Sequence, residues 1–384
     1  TEMLDDQGNS VLVDMDELNR PVKKQYSDGT AEIFEYDIRG NLIRYTDRTG
    51  RSSLREFDAN DRVIAVTDGL DQRTSYTYDM RGNLATRTDP DGNVVRMQYD
   101  ALNLPVKRID PLGNETTLQW DQAGRLTSRT DGTGRVINFV YDNSGLVSER
   151  IVDGQKQVFE YDQLGLLASF SEQGREHRLT RDPFGRIVQR TDHSNEQVSF
   201  TYDGSGRLAS YTTSGGQTSY QYDEYGRISQ ANFPDGAWIR YELDAHSRLS
   251  EKLFSNGIRE TRQYDSNDSL TKITVMNSQG EVIDSIEYVY STANRIQAVR
   301  YHDGSETRFT YDSAGQLLVE EYRQAEAITR TIRHTYDRRG NRIRKEDSQQ
   351  GTTEYSYDSA NRLIEESSAG QITRYSYDGA GRLV

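Results

Sequence analysis

A Tyr-Asp pair followed by a Gly-containing turn recurs about every 21 residues along the whole 384-residue chain. With the aspartate as anchor, six successive intervals are 21 residues long, through Asp16, Asp37, Asp58, Asp79, Asp100, Asp121 and Asp142. The series continues at Asp162, Asp182, Asp203, Asp223, Asp244, Asp265, Ser291, Asp312, Asp337, Asp358 and Asp378, eighteen copies in all. Only the steps 265–291 and 312–337 are long. A period of this size marks an array of supersecondary units, so the 21-mer replaces the domain as the unit to count. The reading is one continuous array over residues 1–384.

Each unit reads as a β-hairpin. Three residues before the anchor the side chain is apolar or aromatic in 15 of 18 copies, the exceptions being Arg55, Arg262 and His334. One residue before the anchor it is aromatic in 15, and 13 of those are Tyr. The position between is polar in 16, Val140 and Val289 departing. Alternation at period two is the mark of a strand with one drier face. Three residues after the anchor stands Gly in eleven copies, Asn in four, Asp in two and Ser only at Ser247. These are the residues that tolerate positive φ, so the position is expected to be left-handed, closing a type I turn into a hairpin. The anchor carboxylate is expected to accept backbone N–H bonds across that turn. Two places beyond the turn glycine an apolar residue restarts the chain, as at Leu42, Leu84 and Leu126, whereas Pro21, Pro105 and Arg342 differ. A second turn, such as Asp89-Pro90-Asp91-Gly92 or Asp110-Pro111-Leu112-Gly113, completes two strands and two turns per repeat. The extra residues near 275–285 and 322–332 are expected to lengthen loops or strands.

Eighteen hairpins make about 36 strands, a ribbon of roughly 170 Å if flat at ~4.8 Å per strand. Sheets of that size twist, curl or close. The composition agrees with a single layer: 33% of residues are hydrophobic and mean hydropathy is −0.88, yet Tyr numbers 25, too many large side chains for a disordered chain. The fold class expected is therefore all-β, a long antiparallel sheet of about 18 hairpins that spirals into part of a hollow shell. A propeller would need four strands per blade, and no alternation between odd and even repeats marks such a unit.

These repeats resemble the Rhs/YD-repeat family. Tyr36-Asp37-Ile38-Arg39-Gly40-Asn41-Leu42, Tyr202-Asp203-Gly204-Ser205-Gly206-Arg207-Leu208 and Tyr377-Asp378-Gly379-Ala380-Gly381-Arg382-Leu383 carry the likeness, which spans essentially the whole chain. The resemblance implies a shell that encloses a C-terminal toxin domain lying outside this chain, made in the bacterial cytoplasm and then secreted or delivered to a target cell. The toxin domain is then the expected partner, with a secretion-apparatus tip protein or a chaperone as further ones. Members of this family include type VI secreted polymorphic toxins used in interbacterial competition, subunits of insecticidal Tc toxins and the adhesive teneurins. A teneurin-like adhesion or carbohydrate-binding array, or a Tc cocoon subunit, is the alternative. The family's Asp-Pro-x-Gly-Leu ending, where a self-cleaving aspartyl protease sits, is missing. Asp182-Pro183-Phe184-Gly185-Arg186 is superficially similar but occupies the ordinary anchor slot, and reads as a turn. The chain, which starts at Thr1 and stops at Val384, reads as a piece of a longer protein.

No enzyme is expected, and no catalytic, cofactor or metal residues are assigned. Catalysis needs one singular pair of groups in differing environments, whereas these aspartates recur. Asp89, Asp91, Asn93 and Asp100 mimic a calcium loop, but Pro90 and the early Gly92 fit it badly. His177, His193, His246, His302 and His334 share neither a repeat position nor a metal spacing. The Arg that follows many turns, such as Arg125, Arg207 and Arg227, is expected to pair with nearby Asp or Glu. A net charge of −14 argues against a nucleic-acid phosphate binder or an anionic-membrane binder. No Cys is present, so there is no disulfide framework, and no apolar run approaches a membrane span.

Overall fold

The computed structural model describes residues 2–4, 10–26, 29–291 and 294–384, so Thr1 lies outside it. The described residues form 36 strands and no helix. They group into two units, Thr1–Thr117 with Tyr264–Thr271 and Ile286–Val384, and Leu118–Gln263 with Lys272–Ser285. Within each unit, strands pair antiparallel with their neighbours in sequence. The expected all-β hairpin array is what forms.

The corner after each Tyr-Asp pair follows one plan. The residue three places after the anchor has positive φ in all eighteen copies, from Asn294 at 57° to Gly40 at 94°. Ser247, the one residue there outside Gly, Asn and Asp, adopts it too, at 66°. Opposite at least fifteen of the corners the pairing slips by one residue. Thr201 pairs with Ser210 while Tyr202 pairs with Leu208, which leaves Ala209 in a bulge. Bulges of this kind increase the local twist.

The second turns come in two forms, and this explains why some repeats fall one residue short of the common period. Most full-length repeats use a four-residue turn closed by a positive-φ residue, as at Asp89–Gly92, whereas the step after Asp337 pairs Asp347 with Gly351 across three residues. In the shorter steps after Asp142, Asp162 and Asp358 the turn is a two-residue pair with both φ positive: Asp153-Gly154, Gln173-Gly174 and Ala369-Gly370. That is the type I′ geometry, whose twist matches the strands it joins. The step after Asp203 also uses a two-residue turn, between Thr213 and Gly216. The two long steps lengthen strands: Leu270–Met276 and Val282–Tyr290 in one, Leu317–Gln324 and Ala327–Tyr336 in the other.

Among the described residues only Val11, Val13, Ala65, Ala231, Ala298, Val299 and Ile332 are buried apolar residues, and no large side chain is fully buried. The expected alternation is visible, with Phe34 and Tyr36 half-buried and Ile33 and Glu35 exposed. A sheet one layer thick has this signature, because neither face is sealed by a second layer.

Candidate functional site: the repeat corner and its contacts

The corner is built around the anchor carboxylate. Its backbone N–H donates to the carbonyl four residues on, and the N–H three residues on donates back to the anchor carbonyl, in every copy. In all seventeen aspartate corners Oδ1 accepts the N–H groups two and four residues ahead. Oδ2 stays available for the side chain four residues ahead. Arg207 Nε donates to Asp203 Oδ2 at 2.7 Å, and Arg125 and Arg227 do the same to Asp121 and Asp223. The expected Arg–Asp pairing is therefore within the repeat. These contacts lower the carboxylate pKa. At Asp203 the Arg207 backbone N–H is the largest cause, partial burial opposes it, and the Arg207 side chain adds to the lowering. At Asp58 the Arg62 side chain leads, followed by its N–H.

The tyrosine before the anchor links one repeat to the last. Tyr202 Oη donates to Ile187 O at 2.8 Å, Tyr141 Oη to Leu126 O at 2.7 Å and Tyr377 Oη to Leu363 O at 2.8 Å. The same bond, always to the carbonyl five places after the previous anchor, is made by at least eleven tyrosines. Arg181 stands where Tyr is usual and sends Nη1 to Leu167 O at 2.5 Å, replacing the hydroxyl. The Arg of the previous corner lies over the ring, with Arg186 at 4.5 Å from the Tyr202 centroid and Arg362 at 4.7 Å from that of Tyr377. The sequence shows the tyrosines but not these bonds. Their signal is the fixed place of the accepting carbonyl, five residues past the preceding anchor, whatever the length of the repeat between.

Within the first unit the chain also meets itself at long range. Second turns of early repeats lie against Tyr-Asp corners twelve or thirteen repeats later. Arg51 Nη1 donates to Ala314 O at 2.9 Å, and Ser313 Oγ to Gly69 O at 3.3 Å. Arg339, 12% exposed, brings Nε to 2.7 Å from Asp91 Oδ2, close in distance but out of line for the N–H. Gly69 is needed at this contact, since a Cβ there would stand 2.9 Å from Arg51 Cγ and 3.3 Å from Ser313 O. Beside it runs a polar cleft of about 310 Å³, lined by Asp68, Gln72, Arg87 and Arg339 among others. No local pattern announces pairs drawn from opposite ends of the sequence.

The other candidates fall into place as structure. Asp182 caps an ordinary corner, with Gly185 at φ 80°. Asp89 holds its own turn through the N–H groups of Asp91 and Asn93, while Asp91 faces Arg339 and Asp100 caps the next corner. His177 and His193, unrelated in sequence position, have ring centroids 5.6 Å apart, and His177 stacks on Phe170 at 4.5 Å. His246 and His302 lie in turns. His334 fills the usual aromatic slot, buried, with Nε2 2.8 Å from Glu320 Oε1. Tyr322 Oη donates to the other Glu320 oxygen at 2.9 Å. Nearby Asp347, its side chain 1% exposed, is clasped by Arg330, which holds its carboxyl far below the usual range. Among the described residues no three His, Cys, Asp or Glu gather closely enough to hold a metal ion.

A repeat defined by this corner and this tyrosine bond is a YD-shell repeat, and comparison with known families agrees. The Teneurin YD-shell model matches residues 14–196. The RHS Repeat model matches 181–218, 202–237, 290–327, 336–370 and 357–384. The chain belongs to the Rhs/YD-repeat family. Between them the models leave only 1–13, 238–289 and 328–335 unmatched, and the last lies inside the lengthened hairpin. No curated protein matches in sequence. Among solved structures, the TcdB2-TccC3-Cdc42 crystal structure is 15% identical with a TM-score of 0.78, covering 99% of this chain and 26% of that one. A Tc holotoxin pore of Photorhabdus luminescens carrying a TccC3 mutation is 15% identical with a TM-score of 0.80, covering 98% and 24%. The crystal structure of TcdB2-TccC3 is 14% identical with a TM-score of 0.77, covering 99% and 26%. At such identity the likeness is one of fold, and this chain spans about a quarter of the length of those it matches.

Proposed function

We propose that this chain is a wall segment of a toxin-encapsulating shell and is not itself an enzyme. The observation that carries the reading is the uniformity of the corner. The recurring aspartates, arginines and tyrosines are occupied in holding one repeat to itself and to the next, and catalysis would need a singular exception. The fold likeness to TccC3-containing toxin structures supports enclosure as the role. The enclosed partner is a toxic domain of the same polypeptide, and the delivery route is export from a bacterium into a competing cell by a contractile secretion system. The Teneurin YD-shell match favours a second reading, a surface array that binds glycans or another cell.

Limited proteolysis of the complete gene product tests enclosure. The region outside the repeat array is expected to survive protease concentrations that degrade the same region expressed alone. Equal degradation rates would remove the proposal. Saturable binding of the repeats to a glycan array, together with unprotected flanking regions, would move the assignment to the adhesive reading.

A further inference from the structure

Two positions of the repeat vary together, and the variation follows neighbouring repeats. One is the residue four places after an anchor. The other is the positive-φ residue, three places after the next anchor. In seventeen repeat-to-repeat steps the first is short, Asn or Ser, only four times: Asn41, Asn83, Ser269 and Asn341. In all four the next corner carries Asn or Asp: Asp61, Asn103, Asn294 and Asn361. In the other thirteen steps the first residue is Arg, Leu or Gln, and the next corner carries Gly in eleven. The remaining two are Arg227 with Ser247 and Arg248 with Asp268.

The geometry supplies the reason. A short amide reaches its own anchor but leaves room above the next corner, and the next corner fills it. Asn83 Nδ2 donates to Asp79 Oδ2 at 3.0 Å and also to Asn103 Oδ1 at 2.9 Å. Asn341 does the same with Asp337 and Asn361, both at 2.9 Å. Asn41 reaches Asp61 Oδ1 at 2.7 Å, and Ser269 Oγ reaches Asn294 Oδ1 at 2.5 Å. A long side chain already covers that space. A Cβ placed on Gly185 would stand 3.2 Å from Leu166 Cδ1, one on Gly40 3.3 Å from Arg20 Nη1, and one on Gly340 3.2 Å from Gln316 Nε2. The exception Ser247 fits because its hydroxyl accepts from Arg227 Nη1 at 2.7 Å. Close-packed surfaces tolerate changes that conserve total volume and penalise those that do not.

We propose that these two positions form a matching code between neighbouring repeats: a short side chain after one anchor calls for a hydrogen-bonding Asn or Asp at the next corner and a long one for glycine, with Arg248 before Asp268 as the departure. The code gives each repeat a surface that accepts one class of following repeat. A corner arriving out of order meets either a collision or a gap, so the code acts against register errors among eighteen nearly identical hairpins. This inference stands on packing and hydrogen bonding between repeats and is independent of what the shell encloses.

A double-mutant cycle at Leu166 and Gly185 in the full chain tests it, read by native-state hydrogen exchange of the strands Leu167–Glu172 and Ile187–Thr191. Gly185→Asn alone should raise local opening, because the amide faces a leucine. Leu166→Asn together with Gly185→Asn should restore protection, with a coupling of about fivefold or more in the opening equilibrium. The inverse pair, Asn83→Leu with Asn103→Gly, should show the same coupling and covers the case in which Gly185→Asn does not fold. Double variants whose effects equal the product of the singles at both sites would overturn the code.

Discussion

The hydroxyl of Tyr202 offers a clean separation of two contributions that every repeat makes. Its bond to Ile187 O is 2.8 Å long and its ring lies under the Arg186 guanidinium at 4.5 Å. Tyr202→Phe removes the bond and keeps the ring, at a cost of about 1 kcal/mol for one net hydrogen bond. Tyr202→Ala also exposes the ring's surroundings. With roughly half of a ~200 Å² side chain withdrawn from water at ~25 cal/mol/Å², that loss is about 2.5 kcal/mol. The cation–π contact adds about 0.5–1 kcal/mol, so the ring outweighs the hydroxyl by about threefold. A repeat array need not unfold as one unit, so the assay is hydrogen exchange in Gln197–Tyr202 and Leu208–Thr213 under native conditions. Protection should fall about fivefold for Tyr202→Phe and by about three orders of magnitude for Tyr202→Ala. A Phe variant as damaged as the Ala variant would refute the ranking, and one indistinguishable from wild type would show that the hydroxyl bond contributes nothing.

The converse change, Phe57→Tyr, should bring a hydroxyl to Leu42 O and stabilise its hairpin by about 0.5–1 kcal/mol, seen as slower exchange in Ser52–Phe57. Gly69→Ala should loosen the long-range contact by about 1–3 kcal/mol through crowding against Arg51 and Ser313, with faster exchange at Ser313 and Ala314; Gly204→Ala, which meets nothing within 4 Å, should be silent. The corner carboxylates of Asp16, Asp58, Asp121, Asp203, Asp223 and Asp378 all have lowered pKa values, so the folded chain binds fewer protons than the unfolded one. Their stabilisation is complete above the unfolded aspartate value of about 3.9 and is lost as pH falls through the lower folded values. Circular dichroism in mild urea should therefore show loss of sheet beginning near pH 4, and unchanged stability down to pH 2 would contradict the sign.

The hairpin plan was legible because local backbone chemistry dictates it. Positive φ favours Gly, Asn or Asp, and at the Tyr-Asp corners the one residue outside that set, Ser247, still adopts it. The pairing of Arg125, Arg207 and Arg227 with carboxylates was legible for the same reason, since so short a separation across a tight turn cannot place the two groups far apart. What stayed hidden depends on a neighbour that the local sequence does not contain. Arg181 reads as a break in the aromatic column, and only Leu167 O shows that a guanidinium reaches the same carbonyl a tyrosine would. His177 and His193 sit in different parts of the repeat and meet only because the strands Arg175–Arg181 and Ile187–Thr191 pair side by side. Asp91 looked like one half of a calcium mimic, and its partner Arg339 comes from a corner twelve repeats further along the chain.

A sheet with so little buried apolar surface must draw its cohesion from terms repeated at every step. The tyrosine bond recurs at least eleven times, at about 1 kcal/mol each, and the arginine layered over the ring recurs with it. Such terms act only between adjacent repeats, so their strength depends on unbroken register. The lengthened hairpin Leu317–Tyr336 is where register is most exposed to error, since its extra residues and second slip, between Tyr322 and Arg323, leave the neighbouring corners out of step. Polar side chains are buried here too, His334 within it and Asp347 on the strand that follows. Arg330 clasps Asp347 across to the next strand, and His334 and Tyr322 both engage Glu320. Buried pairs of this kind add little net stability but penalise any alternative pairing heavily, because a slip would leave a charge without its partner. This irregular hairpin thus obtains from buried charge the register that its regular neighbours obtain from tyrosine and glycine.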